Sequence, residues 1–221
     1  MALLRPVTEP RERIPRLVAG LVLCGLGIAF MVAADLGLAP WSVLDQGISG
    51  HTGIPIGTVS IAVGALVLAA WIPLRERPGL GTVLNVVLIG ATIDLALLVL
   101  DPPGSLAARI AYLAFGVFLW GPGTGLYIGA GLGPGPRDGL MTGLAARGVG
   151  SIGLVRTGIE VSALVVGVAL GGSVGLGTLA FALTIGPNVQ IFLPRLTARP
   201  SQRPQAQVVL HGGPQPAAEC C

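Results

Sequence analysis

Six apolar runs dominate this chain, at residues 17–34, 54–74, 80–100, 110–128, 152–170 and 176–193. A helix needs about 20 mostly apolar residues to cross roughly 30 Å of hydrocarbon, and each run is close to that length. A backbone in lipid has to satisfy its own hydrogen bonds, which a helix does within one segment. The expected fold class is therefore all-α: a polytopic membrane helix bundle with six transmembrane helices. Composition agrees, with 52% of residues hydrophobic and only 10% charged, where soluble domains carry about 25% charged residues. The 35 glycines and 18 prolines follow no G-X-Y period and punctuate apolar stretches instead. That pattern excludes collagen-like and disordered chains alike.

Orientation follows from the arginines, the only basic residues besides two histidines. Cytoplasmic loops carry the excess of positive charge. With the N-terminus inside the cell, every arginine except Arg109 falls on the cytoplasmic side, including Arg75 and Arg77 in the short turn 75–79. Six spans then return the C-terminus to the same side. The expected organisation is a cytoplasmic N-terminal segment 1–16, a membrane domain 17–195 and a disordered cytoplasmic tail 196–221 rich in Pro, Gln and Arg. The location this implies is the bacterial plasma (inner) membrane. The Arg-rich start, the first apolar run and Val32-Ala33-Ala34 also have the form of a cleavable signal peptide. Cleavage there would delete a helix that has a counterpart later in the chain.

That counterpart belongs to an internal repeat. Shifting the chain by 96 residues aligns 20–97 with 116–193 without a gap and gives 22 identities in 78 positions. Chance in a chain this rich in Gly and Leu would give on the order of one in ten. Gly20, Gly25, Gly27, Gly37, Pro40, Gly47, Gly57, Gly79, Thr82 and Gly90 all recur. Each copy holds three spans, an odd number, so the second copy should enter the membrane with the opposite sense. Two inverted three-helix repeats imply a pseudo-two-fold axis in the membrane plane, as in many alternating-access transporters.

After the first helix of each copy comes a repeated polar segment. Gly37, Pro40 and Asp45 stand in the first, Gly133, Pro136, Arg137 and Asp138 in the second. Glycine permits a sharp turn, and proline suits the first turn of a helix. Both segments predict a turn and a short helix. Two placements stay open: a surface helix in the headgroup region with Trp41 as interfacial anchor, or a re-entrant half-helix whose N-terminal amides point at an anion or polar solute.

Several motifs together resemble a known family. They are Gly37-Leu-Ala-Pro-Trp41, Gly57-Thr-Val, Arg77-Pro-Gly-Leu-Gly-Thr-Val-Leu-Asn85, Gly133-Pro-Gly-Pro-Arg-Asp-Gly-Leu-Met-Thr142 and Leu154-Val-Arg-Thr-Gly-Ile-Glu160. Over roughly residues 15–195 the chain looks like the YczE-like branch of the YczE/YyaS/YitT family of bacterial integral membrane proteins. The resemblance implies a multi-pass plasma-membrane protein and no particular biochemical activity.

Ionisable and polar groups inside the spans are expensive and mark candidate sites. Glu160 lies about mid-depth in the fifth run with Arg156 four residues earlier on the same helical face. The pair reads either as an intrahelical ion pair or as a coupling carboxylate released during transport. Asp94 lies in the third run; its repeat mate Gln190 follows Gly186-Pro187-Asn188, which is expected to interrupt the sixth helix. Glu160, Arg156, Asp94, Asn188 and Gln190 are thus the candidate solute or coupling site, and Asn85 is placed to bond across helices.

Catalysis has little support. His51 and His211 have no Cys or carboxylate at metal-ligand spacing, and the three cysteines make no framework. The Gly-rich string 131–135 follows no strand and has no P-loop lysine. No catalytic residue, metal or cofactor is expected, and no nucleic-acid partner, because anionic lipid headgroups suffice for the arginines. The partners expected are membrane lipid and a small-molecule solute, and a homo-oligomer is compatible with the sequence. The expected function is a small-solute permease or transporter; the alternative is a non-transporting membrane scaffold or accessory protein.

Overall fold

The computed structural model describes residues 10–197. Among them all regular structure is helical: α1 Pro10–Ala34, α2 Pro40–Thr52, α3 Ile56–Ala69, α4 Trp71–Leu74, α5 Leu80–Leu97, α6 Leu106–Gly129, α7 Pro136–Ala146, α8 Ile152–Ala169 and α9 Leu176–Leu196. Six helical stretches are long and apolar enough to cross a membrane: α1, α3 with α4, α5, α6, α8 and α9.

The centre of the bundle is the crossing of α1 and α6. A Cβ on Gly20 would stand 2.6 Å from the Gly123 carbonyl oxygen, and one on Gly27 would stand 2.7 Å from that of Gly116. As the residue number rises on one helix it falls on the other, so the two run antiparallel with their backbones nearly touching. Small residues allow that approach, and close packing is what joins helices where water drives nothing. Leu17, Leu21, Cys24, Tyr127 and Ala130 are buried at one end of the crossing, and Met31, Ala34, Leu113 and Val117 at the other.

Other contacts recur at the 96-residue spacing. α5 flanks α1 with Thr92 against Gly25, and α9 flanks α6 with Asn188 against Gly121. The Gly81 amide donates to the Leu132 carbonyl at 2.9 Å, and the Gly177 amide to that of Leu36 at 2.7 Å. The turns before α2 and α7 share left-handed residues, Asp35 (φ 51°) and Gly37 (φ 105°) in one, Gly131 (φ 66°) and Gly133 (φ 129°) in the other. Gly37 is required twice over, since a Cβ there would also lie 2.4 Å from the Gly175 amide nitrogen.

Three details differ from the sequence expectation. α1 begins at Pro10, inside the segment 1–16 that was expected to be a solvated end. Hydropathy marks only the apolar part of a helix, and Arg11, Arg13 and Arg16 do not end one. α9 runs unbroken through Gly186-Pro187-Asn188. Pro187 removes one donor, and the helix continues because its packing on α6 holds both sides of the gap. The second apolar run instead turns at Ala70, between α3 and α4. The tail beyond Thr197 and residues 1–9 lie outside the described residues.

Candidate functional site: a cavity between the repeats

A cavity of about 530 Å³ lies where the two copies meet. The first turn of α2 (Pro40, Trp41, Ser42) and the first turn of α7 (Pro136, Arg137, Asp138) both line it. So do their N-cap residues, Ala39 and Gly135, neither of which supplies a side-chain cap. Most of the wall falls into pairs 96 residues apart, such as Cys24 with Trp120, Ile28 with Thr124, Ser60 with Arg156, Gly64 with Glu160 and Asn85 with Phe181.

At the middle stands one such pair. The Arg137 guanidinium lies over the Trp41 ring, 4.5 Å from its centroid. A cation over an indole is held by the ring quadrupole, more strongly when water is excluded. The buried Trp41 Nε1 donates to no described group. The arrangement is braced from behind: the Trp71 indole donates to the Pro136 carbonyl at 2.9 Å, and its ring fills the space that a Cβ on Gly139 would need. Thr82 Oγ1 donates to the Pro134 carbonyl at 2.8 Å. On the α2 side, the Gln46 side chain accepts from the Ser173 amide at 2.7 Å.

Opposite charges share the space. Tyr127 Oη donates to Asp138 Oδ2 at 3.3 Å, and Arg156 Nε donates to Glu160 Oε1 at 3.0 Å. Asp45 sits behind the wall, only 2% exposed. Burial pushes its carboxyl above the ordinary carboxylate range, while Arg137 and a hydrogen bond from Ser60 pull it back down. Burial also pulls the Arg137 guanidinium down, opposed first by Asp45 and then by Asp138, Tyr127 and Glu160. The result is a cavity with two guanidiniums, two carboxylates and two helix N-termini facing one volume. Such a site can bind a small polar or charged solute by complementary charge.

The sequence candidates divide. Arg156, Glu160, Gln190, Pro40, Pro136, Arg137 and Asp138 line the cavity. Gly37 and Gly133 shape the turns just ahead of it. Asp94 and Asn188 do not reach it. Asp94 is turned toward α3, where Oδ1 accepts from the Gly57 amide at 2.6 Å and Oδ2 from Thr58 Oγ1 at 2.7 Å. Asn188 is turned toward α6 and donates to the Val117 carbonyl at 2.8 Å. The sequence places each residue along its helix, but the facing direction depends on which neighbour packs there. Sequence reasoning missed Ser60, Thr124 and Tyr127, single polar groups in apolar helices. The one signal for the site's centre was that Trp41 and Arg137 occupy matching repeat positions.

An all-helical bundle with six membrane-length spans defines a multi-pass membrane protein. The model of a family of unknown function (DUF6198) matches residues 11–194, and the chain belongs to that family. An uncharacterized protein of Haemophilus influenzae is 42% identical over 186 residues, 84% of this chain and 85% of that one. The uncharacterized membrane protein YczE of Bacillus subtilis is 34% identical over 179 residues, 80% of this chain and 83% of its own length. YyaS of the same organism is 26% identical over 179 residues, covering 79% and 89%. The YczE-like membrane family is thus the chain's family, and no solved structure matches it.

Proposed function

We propose that this protein is a small-solute transporter of the bacterial plasma membrane, built from two inverted repeats, with both termini in the cytoplasm and the solute bound beside Arg137 and Trp41. The observation that carries the reading is the cavity: about 530 Å³, lying between the repeats and lined by Arg137, Asp138, Arg156 and Glu160. Ionisable groups at membrane depth are costly unless they serve a path or a site. A scaffold would favour a dry, packed interior at that position. The inversion is supported by the reciprocal pairs Gly20–Gly123 and Gly27–Gly116 on antiparallel α1 and α6. It is supported as well by the arginine asymmetry in sequence. On this reading α2 and α7 are re-entrant half-helices whose uncapped N-termini meet at the solute.

Comparing metabolite pools in cells with the wild-type gene, without it and with Arg137→Gln tests the reading. A solute whose level depends on the gene and reverts to the deletion value in Arg137→Gln is the expected result. Unchanged pools in all strains, with the protein present in the membrane, would remove the transport reading. Labelling of single cysteines checks orientation: a cysteine at Arg77 should be shielded from an impermeant reagent added to intact cells, and labelling from outside would invert the topology.

A further inference from the structure

The two copies share a sequence pattern but not a packing pattern, and the difference is concentrated in one seam. In the first copy α3 lies against α5. A Cβ on Gly57 would come within 2.0 Å of the Gly90 oxygen, and one on Gly90 within 2.4 Å of the Gly57 oxygen. Lower down, a Cβ on Gly64 would stand 3.5 Å from that of Val86. Asp94 fastens one end, accepting from the Gly57 amide and from Thr58. That amide is in the first turn of α3, whose N-cap, Pro55, has no side-chain acceptor to offer.

The second copy carries the same small residues at the matching places, Gly153 and Gly186, but here a Cβ built on either would meet no neighbouring element within 4 Å. α8 leans on α2 and α7 instead, and α9 leans on α6. The cavity extends into the space between α8 and α9, where it meets Arg156, Glu160, Ala182, Ile185 and Gly186. Gln190, the mate of Asp94, also faces the cavity rather than α8. Ser151, at the position matching Pro55, caps α8 by itself, accepting from the Leu154 amide. Glycine inside a helix is destabilising relative to alanine. At Gly57 and Gly90 a close approach explains it; at Gly153 and Gly186 this arrangement gives no such reason, and Gly186 faces the cavity rather than a neighbouring molecule.

We infer that the α3–α5 and α8–α9 seams are the two gates of the cavity and exchange states: α8 closes on α9 through Gly153 and Gly186 as α3 parts from α5, with Gln190 taking toward α8 the place that Asp94 holds toward α3. The inference rests on the transport reading and deepens it. With the N-terminus inside the cell, the seam open here is the cytoplasmic one, and Asp94 is the latch of the outer one. Small residues let helix backbones meet and part without rebuilding side-chain packing. Such a seam has two discrete states, as a gate requires.

The test is disulfide trapping in the full chain in its native membrane, with Cys24→Ala, Cys220→Ser and Cys221→Ser. The pair Gly64→Cys with Val86→Cys reports the closed seam, because a Cβ separation of 3.5 Å suits a disulfide. The pair Thr157→Cys with Gly186→Cys reports the exchanged seam, since its mates Ile61 and Gly90 touch in the first copy. The first pair should oxidise readily and the second slowly. Adding Asp94→Ala or, separately, Thr58→Val should speed the second by about two- to tenfold, the range expected for a lost hydrogen bond. Two variants guard against one that fails to fold. A 157–186 bond that never forms within a chain, that forms only between chains, or that forms at the same rate in every background would overturn the gates. The readout needs no solute. Exchange without any gene-dependent solute would count against transport alone, and transport without exchange against the gates alone.

Discussion

Residues 20–97 and 116–193 were written from one pattern, yet α5 closes on α3 while α9 stands away from α8. The shared glycines are crowded in one copy and idle in the other. A shared pattern of glycines therefore does not fix local packing; the polar residues that differ between the copies bear on it, Asp94 against Gln190 and Pro55 against Ser151. Asp94 supplies an acceptor to a helix that begins at Pro55 without a cap, whereas α8 has its own cap in Ser151 and Gln190 is left to the cavity. The first copy needs its neighbour and the second does not.

The largest test of this contrast is steric. Gly57→Ala would drive a methyl group into the Gly90 carbonyl and should cost about 3 kcal/mol, the upper part of the usual overpacking range. Gly153→Ala meets open space in the first turn of α8 and should change stability by less than about 0.5 kcal/mol. Heating each variant in detergent and following the monodisperse fraction by size-exclusion chromatography compares them directly. Equal losses at both sites would mean that α8 and α9 are packed together after all.

A smaller effect separates the two polar mates. Asp94→Ala strips two partners, one of them a backbone amide near the start of α3, and should cost about 2 kcal/mol. Gln190→Ala removes only a cavity-lining group and should change stability by less than about 0.5 kcal/mol. The same melting measurement reads both, and a destabilised Gln190→Ala would show that Gln190 has a structural partner.

Asn188→Ala comes next. It deletes the hydrogen bond to the Val117 carbonyl and should cost about 1 kcal/mol. Thr92 occupies the matching place against Gly25, so Asn188→Thr should recover part of the loss if the two flanks are equivalent. Arg156→Gln should do least to the fold. Its pair with Glu160 is 58% and 35% exposed at the two side chains, and i,i+4 pairs of that kind contribute about 0.3–0.5 kcal/mol. A melting change well above that would make the pair a structural brace, and would leave Arg137 and Asp138 as the charges available to a solute.

Much of the architecture was legible because bilayer physics writes in long, simple signals. Six apolar runs gave six membrane-length helices, and turns at Gly37 and Gly133 fell where positive φ is needed. Other features were not legible. The unbroken course of α9 past Pro187 depends on its packing against α6. The helical start at Pro10 carries arginines that a hydropathy signal reads as an end.

The sequence by itself determined the class of fold, the number of spans, the repeat and the two polar segments that meet at the cavity, because hydrophobic length and glycine-proline punctuation act locally. Tertiary structure alone decided which way each polar side chain faces. Asp94 and Glu160 look alike in sequence, one carboxylate apiece in an apolar helix. One is spent on a neighbouring helix start, and the other opens on the cavity. A helix position fixes depth by its 1.5 Å rise per residue, whereas facing is set by which helix lies alongside, and that is a property of the whole bundle.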